Sequence, residues 1–165
     1  MGSATRSGSA ARILSPIQMS DPREGQRLDV LRLMEEHAPF NRLLGLKGES
    51  LEPGRAVIVL PVREDFVGDP RRPALHGGVV SSLIDTAGGA AAWSALGPGE
   101  SVSTVDLRVD YLEPARLAGP LRAEAALLRK GNRVCHVRVS VTQDGVLVAE
   151  GSAVYNIHRR RAEGV

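Results

Sequence analysis

Cysteine and aromatic residues are scarce in this chain. Of its 165 residues, aromatic side chains make up 3%, and Cys135 is the single cysteine. One cysteine supplies neither an internal disulfide nor a cysteine-based zinc site, so packing and oligomerisation must stabilise the fold. No segment approaches the roughly 20 consecutive apolar residues of a transmembrane helix, and the first residues lack the pattern of a signal peptide. We therefore expect one soluble, cytoplasmic domain without a membrane partner.

Positive charge is limited as well. The formal net charge is +2, and residues 1–20 and 159–165 carry +2 each, which leaves −2 for the rest of the chain. A nucleic-acid surface needs clustered Lys and Arg, so we do not expect nucleic acid as a partner. The Ser-, Gly- and Ala-rich residues 1–20 are predicted to be a disordered leader, and residues 159–165 a solvated basic tail. Residues 21–158 remain as a single domain.

Hydrophobic periodicity predicts an α+β fold for this domain. A first helix is expected to begin at the N-cap Asp21 and to end at Pro39. The segment 79–96 is apolar or small on nearly every face, which is typical of a long helix buried on most of its circumference. Residues 65–75 are predicted to form a loop. The predicted strands are 43–51, 55–62, 102–112, 121–129, 133–142 and 146–155. This order indicates an antiparallel sheet wrapped around one central helix.

Asp85 is the most anomalous residue of the predicted long helix. An ionised carboxylate is costly to bury unless it is paired, hydrogen-bonded or next to a wet cleft. Ser82 and Ser81 lie three and four residues earlier on the same face and could satisfy it. Alternatively, burial would disfavour the ionised form and make Asp85 a better general base. The pattern leaves both interpretations open.

The sequence His76-Gly77-Gly78 precedes the long helix. Backbone N–H groups at a helix start lack intrahelical partners and lie at the positive end of the helix dipole, so they can stabilise an oxyanion. A glycine pair is equally typical of a tight turn, and a lone histidine of a structural cap. Cys135 lies on the apolar face of its strand and is interpreted as a small buried hydrophobic residue.

Two segments together resemble the hotdog-fold acyl-CoA thioesterases of the phenylacetate-degradation (PaaI-like) type. They are residues 75–87, LHGGVVSSLIDTA, and residues 103–115, STVDLRVDYLEPA. The similarity spans about residues 38–157 and includes the basic hairpin at Gly131. It implies a hotdog fold whose sheets join edge to edge in a homodimer, or in a homotetramer of two dimers. The active site is then expected across the subunit interface.

The resemblance also implies roles for single residues in the hydrolysis of an aromatic or medium-chain acyl-CoA to the free acid and CoA. Asp85 would be the general base or nucleophile, the Gly77 N–H would hold the thioester oxygen, His76 would shape the turn, and Thr104 would position water. No cofactor and no metal are expected. Coenzyme A contacts are implied for Asp106, Tyr111, Arg129, Lys130, Gly131, Asn132, Arg133 and His158.

One position departs from the family pattern. Relatives commonly carry an asparagine about six residues before the histidine of the HGG motif, whereas this chain has Pro70 there, beside Asp69. Either Asp69 takes over part of the role, or the loop with Arg71 and Arg72 contacts the substrate differently. A non-catalytic acyl-CoA-binding or regulatory hotdog protein therefore stays open as an alternative. A hotdog hydratase or dehydratase fits less well, because it would show a His and Asp pair in another context.

Overall fold

The computed structural model of the protein describes residues 33–159. A π-helical turn, Leu33–His37, precedes the short helix α1 (Pro39–Leu44). A 3₁₀ turn, Glu64–Phe66, and the long helix α2 (Gly77–Ser94) follow. The strands are β1 (Lys47–Glu52), β2 (Arg55–Leu60), β3 (Val67–Asp69), β4 (Arg72–Leu75), β5 (Glu100–Tyr111), β6 (Leu121–Lys130), β7 (Val134–Gln143) and β8 (Val146–Arg159).

Six of these strands form one antiparallel sheet that wraps around α2. Their order is β1-β2-β6-β7-β8-β5, and β3 and β4 form a separate hairpin. The strands β1 and β5 lie at the two edges, and α2 contacts all six strands. Because an antiparallel sheet with one polar face and one apolar face must cover the apolar one, the helix fills its concave side. The predicted architecture is thereby confirmed.

The core lies between α2 and the concave face of the sheet. Leu83 and Ile84 of the helix are completely buried, and each such side chain contributes roughly 2 kcal/mol of hydrophobic stabilisation. Gly151 lets β8 approach the helix, because a Cβ there would collide with Cγ2 of Ile84. The predicted inward face of β7 is confirmed, since its members are fully buried: Cys135, Val137, Val139 and Val141. Burial also raises the pKa of the Cys135 thiol.

The structure corrects the predicted start of the domain. Pro39 begins α1 instead of ending a helix, because proline fits the first helical turn without losing a hydrogen bond. Residues 43 and 44 are helical, and the strand starts only at Lys47. Gly45, with φ at +73°, ends α1 in the left-handed conformation that glycine adopts most readily. The predicted helix cap Asp21 lies outside the described residues.

Other boundaries differ as well. The long helix begins at Gly77, two residues early, because the His76 side chain caps it, and it ends at Ser94. The predicted loop 65–75 contains the β3–β4 hairpin. Strand β8 continues to Arg159, which we expected in the basic tail, because β5 offers a partner at every position up to the Glu100–Arg159 pair.

A β-bulge changes which residues of β5 face the helix. Thr104 pairs with Tyr155 and Asp106 pairs with Val154, so Val105 is an extra residue without a partner on β8. Strict alternation predicted Val105 on the apolar face and Thr104 on the opposite face. Instead Val105 is 63% exposed, because a bulge reverses the facing of the residues on one side of it.

Candidate active site

Asp85 lies half-buried near the middle of α2 and is held by two hydroxyl groups. Thr104 donates a hydrogen bond of 2.8 Å to Oδ1 of Asp85. The Tyr155 hydroxyl donates to the main-chain oxygen of Asp85 at 2.8 Å and lies 3.4 Å from Oδ1. Within residues 33–159, Oδ2 has no hydrogen-bond partner. One carboxylate oxygen is thus anchored, and the other is left for a further partner.

The serines do not satisfy Asp85, so that interpretation is wrong. Ser81 and Ser82 instead donate to the Gly78 carbonyl oxygen, at 3.1 and 2.7 Å. Hydroxyls of helical serines commonly bond back to the carbonyl one turn earlier. The sheet, not the helix, therefore provides the hydrogen bonds of the Asp85 carboxylate.

Tyr155 was missed by the sequence reasoning. Its side chain is buried on the helix-facing side of β8, and burial, followed by the neighbouring Asp85 charge, raises the pKa of the Tyr155 hydroxyl far above its ordinary value. The hydroxyl therefore stays protonated and can donate. Gly88 makes room for it, because a Cβ at Gly88 would collide with the Tyr155 hydroxyl. A tyrosine on an apolar strand face signals such a pairing, since a buried hydroxyl needs a partner.

The amino-terminal end of α2 presents backbone donors. His76 caps the helix, and its Nδ1 accepts a hydrogen bond of 2.9 Å from the Gly78 N–H. The Gly77 N–H, at the first helical position, bonds no acceptor of the described residues. The Tyr111 hydroxyl donates to the Gly77 carbonyl oxygen at 2.9 Å. Gly77 is thus both a free donor and a contact of Tyr111.

A cavity of about 370 Å³ opens beside Gly77. Apart from Gly77 itself, the side chains around it are mainly apolar and come from α2, from β4, from the end of β5 and the chain after it, and from β8. They include Leu75, Val80, Tyr111, Leu112, Pro114 and Val148. Such a lining suits an apolar ligand whose polar group reaches the helix end.

Asp85 and Gly77 do not meet within one chain. They lie eight residues apart on the same helix, which corresponds to about 12 Å along the axis. A base and an oxyanion donor must both lie within about 3 Å of the reacting group. The structure therefore supplies two half-sites, one at each position.

The sequence is also similar to those of known proteins. A family model described as "Thioesterase superfamily" matches residues 73–150. The medium/long-chain acyl-CoA thioesterase YigI of Salmonella typhimurium is 36% identical over 135 residues, which cover 73% of this chain and 86% of the relative. The chain belongs to the thioesterase superfamily. Thioester hydrolase is the enzyme class that follows.

Solved structures confirm the PaaI-like resemblance and the hotdog fold of this thioesterase. A variant of the phenylacetic acid degradation protein PaaI from Thermus thermophilus is 32% identical, with a TM-score of 0.65 over 74% of this chain and 99% of that chain. The thioesterase HI1161 of Haemophilus influenzae is 20% identical, with a TM-score of 0.74 over 88% of this chain and 100% of that chain. The second similarity concerns the fold alone.

Besides Pro70, the turn before the HGG motif departs from the family pattern by carrying the charged Asp69. Asp69 Oδ1 accepts from the Arg71 N–H and Nε, both at 3.0 Å, and Oδ2 accepts from Nη2 at 3.1 Å. The Arg71 side chain, and then its backbone N–H, hold the pKa of Asp69 below its ordinary value. An ionised carboxylate has no proton to donate to a thioester oxygen. The contacts thus favour a structural role in the β3–β4 turn.

The residues implied to contact coenzyme A lie in different surroundings. Lys130 Nζ donates to the Ala95 carbonyl oxygen at 2.9 Å and lies 3.7 Å from Glu100 Oε2, so it is bound at the end of α2. His158 Nε2 lies 2.7 Å from the Ser103 hydroxyl. The Gly131 N–H closes its turn on Val134. Four residues are simply exposed: Asp106, Arg129, Asn132 and Arg133.

Two absences hold for residues 33–159. No three His, Cys, Asp or Glu residues in this range gather closely enough to hold a metal ion. None of the helices in the same range has the length and apolar composition needed to cross a membrane.

Proposed function

We propose that the protein hydrolyses medium- or long-chain acyl-CoA thioesters to the free acid and CoA, in a homodimer and without a cofactor. In this proposal Asp85 of one subunit is the general base or nucleophile. The Gly77 N–H of the other subunit binds the thioester oxygen. The observation that carries the proposal is the anchored Asp85 carboxylate on the same helix as the Gly77 N–H, where neither Oδ2 of Asp85 nor this N–H has a hydrogen-bond partner within residues 33–159.

The anchoring of Asp85 suits either role. A base or a nucleophile must be held in one orientation while leaving an oxygen lone pair free for water or for the thioester carbon. Thr104 and Tyr155 bind on the Oδ1 side, so the orientation is fixed and Oδ2 remains available. The thiolate of CoA is a good leaving group, and it takes up a proton after the C–S bond breaks.

The free end of α2 suits the thioester oxygen. Negative charge develops on this oxygen when the carbonyl carbon becomes tetrahedral, and an N–H at a helix start adds the positive end of the dipole. The Gly77 N–H occupies the first helical position, where the helix supplies no acceptor. The cavity beside it supports an acyl chain as the apolar part of the substrate.

A second subunit is proposed because the two half-sites lie on one helix. The edge strand β5 supports a pairing of two sheets, since it is twelve residues long and its outer edge has no strand partner within residues 33–159. Long exposed edges are rare in monomeric proteins because they pair with other chains. Side-by-side helices in such a dimer would allow Asp85 of one copy to approach Gly77 of the other.

The substrate class rests on the cavity and on one relative. YigI of Salmonella typhimurium is named as acting on medium- and long-chain acyl-CoA. A mostly apolar cavity of about 370 Å³ is more space than an acetyl group needs. We also propose that three exposed residues contact the phosphates of CoA, namely Arg129, Asn132 and Arg133. Each arginine can form an ion pair with a phosphate group.

The test is thiol release from acetyl-, hexanoyl-, lauroyl-, phenylacetyl- and hydroxybenzoyl-CoA. We expect lauroyl- and hexanoyl-CoA to be hydrolysed faster than acetyl-CoA. Asp85→Asn should lower kcat by a factor of about 10² to 10⁴, because general acid–base catalysis typically contributes that much. Dimer size is checked by light scattering for each protein.

Glu124→Gln is the matched control, since Glu124 is an exposed carboxylate of β6 paired with Arg122 and lies outside both the proposed site and the edge strand β5. It should keep the wild-type kcat. Wild-type rates in a folded Asp85→Asn dimer would refute the mechanism. If a folded wild-type dimer hydrolysed none of these esters but bound them, the protein would instead be an acyl-CoA-binding member of the family.

A further inference from the structure

The Tyr111 side chain was expected to contact coenzyme A, yet its hydroxyl group bonds to the catalytic turn of its own chain. Tyr111 is the last residue of β5, 34 residues from Gly77, and its hydroxyl donates to the Gly77 carbonyl oxygen at 2.9 Å. The contact is close, because a Cβ on Gly77 would lie 3.1 Å from this hydroxyl. A residue with any side chain at position 77 would thus press against Tyr111.

The peptide group that Tyr111 binds is also bound from its other side. The Gly77 carbonyl and the Gly78 N–H belong to one peptide unit, and this N–H donates to Nδ1 of His76 at 2.9 Å. A hydrogen bond to the carbonyl polarises the same peptide unit and strengthens its N–H as a donor. Tyr111, the Gly77–Gly78 peptide and His76 therefore form one chain of hydrogen bonds.

This chain fixes the protonation pattern of the His76 ring. A backbone N–H can only donate, so Nδ1 of His76 must accept, and the proton of the neutral ring is on Nε2. His76 is exposed, and Nε2 contacts no acceptor among the described residues. The ring thus offers an N–H donor at the same helix end as the Gly77 N–H.

Two adjacent glycines make this turn intrinsically loose. Glycine loses more conformational freedom on ordering than any other residue. Rotation about Gly77 would reorient the carbonyl that Tyr111 binds and would disturb the His76 cap on the Gly78 N–H. A fixed donor is what an oxyanion site requires, because its dipoles must be in place before charge develops.

We propose that Tyr111 is a positioning residue that locks the Gly77–Gly78 peptide, and through it holds His76 in the Nε2-protonated form. The donors for the thioester oxygen are then preorganised. This role rests on the proposed function, because the orientation of the turn affects hydrolysis only if the Gly77 N–H binds the thioester oxygen. Tyr111 itself touches the turn and not the reacting atoms.

The experiment uses Tyr111→Phe, which removes the hydroxyl and keeps the ring. Loss of one hydrogen bond of this kind corresponds to a decrease in kcat for lauroyl-CoA of about threefold to tenfold. KM should stay within about twofold, because the acyl chain and CoA keep their contacts. Thr142→Val is the matched control: it removes another hydroxyl that donates to a main-chain carbonyl, that of Arg122, in the sheet. It should leave kcat unchanged.

Two spectroscopic readouts do not depend on activity. In ¹⁵N spectra of the full chain, the His76 ring should be protonated at Nε2 and unprotonated at Nδ1, with its signals assigned from a His76→Gln variant. In Tyr111→Phe, the Gly78 amide should exchange its hydrogen faster than in the wild type. A structural role elsewhere in the sheet would move neither signal.

Unchanged kcat or unchanged Gly78 exchange in folded Tyr111→Phe would overturn the proposal. A wild-type His76 ring protonated at Nδ1 would overturn it as well. If the wild type hydrolysed no thioester, the proposed function would fail, but the ring protonation and the Gly78 exchange would still decide whether Tyr111 locks the turn.

Discussion

The two ends of α2 differ in how their backbone groups are bonded by the rest of the protein. At the carboxyl end, Lys130 binds the Ala95 carbonyl, and the Ser94 hydroxyl lies 2.9 Å from the carbonyl oxygen of Ala91 and 2.8 Å from that of Glu52. At the amino end, the Gly77 N–H bonds no acceptor of residues 33–159, and an apolar cavity opens beside it. The closed end stabilises the helix, whereas the open end leaves its dipole and its donor for a ligand. The Gly77 N–H, a helix-terminal donor without an acceptor among residues 33–159, therefore supports the proposed site at the amino end.

Gly77→Pro should have the largest effect on the amino end of α2, because it removes the backbone N–H of residue 77. Proline is favourable at the first helical position and has no N–H. His76, at φ −63° and ψ 131°, already has the extended conformation that a following proline requires. We expect kcat to fall by a factor of about 10² to 10³, as for the loss of one oxyanion donor.

Gly77→Ala is the control for this substitution. It introduces the same Cβ, 3.1 Å from the Tyr111 hydroxyl, but keeps the N–H. Its kcat should lie much nearer to that of the wild type. Equal rates for the alanine and proline variants would mean that the N–H takes no part in hydrolysis.

At the closed end, Lys130→Met should affect stability and not catalysis. The substitution removes the ammonium group from the Ala95 carbonyl and from Glu100, while keeping most of the apolar stem. A cation at a helix carboxyl end contributes roughly 0.3 to 1 kcal/mol. Urea denaturation should show a loss of this size, with KM for lauroyl-CoA unchanged.

Arg133→Met, on the same hairpin, should affect substrate binding and not stability. Arg133 is exposed, and its side chain makes no ion pair among residues 33–159. If the hairpin contacts CoA, this variant should raise KM and leave the stability alone. A raised KM in Lys130→Met would instead show that Lys130 leaves the helix end to bind the substrate.

The smallest expected effect concerns Glu100, which supports the closed end. The Gly97 N–H, and then Arg159, hold the pKa of Glu100 below its ordinary value. Because the folded state favours the ionised form, Glu100 stabilises the fold above its unfolded pKa, and this contribution is lost as the pH falls through the folded pKa. Glu100→Gln should cost about 0.5 kcal/mol at pH 7.

The pH dependence of that loss is the informative measurement. The difference in unfolding free energy between Glu100→Gln and the wild type should shrink as the pH falls below the usual range of glutamate, since both side chains are then neutral. A difference that stayed constant from pH 7 to acid pH would mean that charge at Glu100 does not stabilise this end of the helix.

Much of the candidate site could be predicted from the sequence, because its residues are unusual for the segments in which they lie. Asp85 is a carboxylate in an apolar helix, and Gly77 follows a histidine directly before that helix. The position of Asp85 within α2 was predicted correctly, whereas Gly77, which the apolar pattern placed before the helix, is its first residue. The hydroxyls around them were harder to predict, because Thr104 reaches Asp85 only through the bulge at Val105.

Hydrogen-bond partners distant in sequence could not be predicted. Tyr155 and Asp85 are 70 residues apart, and Lys130 and Ala95 are 35 residues apart. Lys130 lies in a basic hairpin, for which the family resemblance implied a contact with CoA, and only the packing of β6 against the end of α2 gives the ammonium group a partner within the protein. The interpretation that Ser81 and Ser82 satisfy Asp85 was wrong for a similar reason. Spacing on a helix shows which side chains are neighbours, but not which acceptor a hydroxyl group binds.

The sequence by itself determined the long central helix, the inward face of β7 and the resemblance to the family, because hydrophobic period and sequence motifs are properties of short stretches of chain. The tertiary structure decided which polar atoms are satisfied and which stay free. It did so through the strand order, in which β5 pairs with β8 and β6 lies between β2 and β7. That order depends on how the whole sheet closes around α2, and so only the complete fold leaves the Gly77 N–H open while it binds the opposite end of the helix.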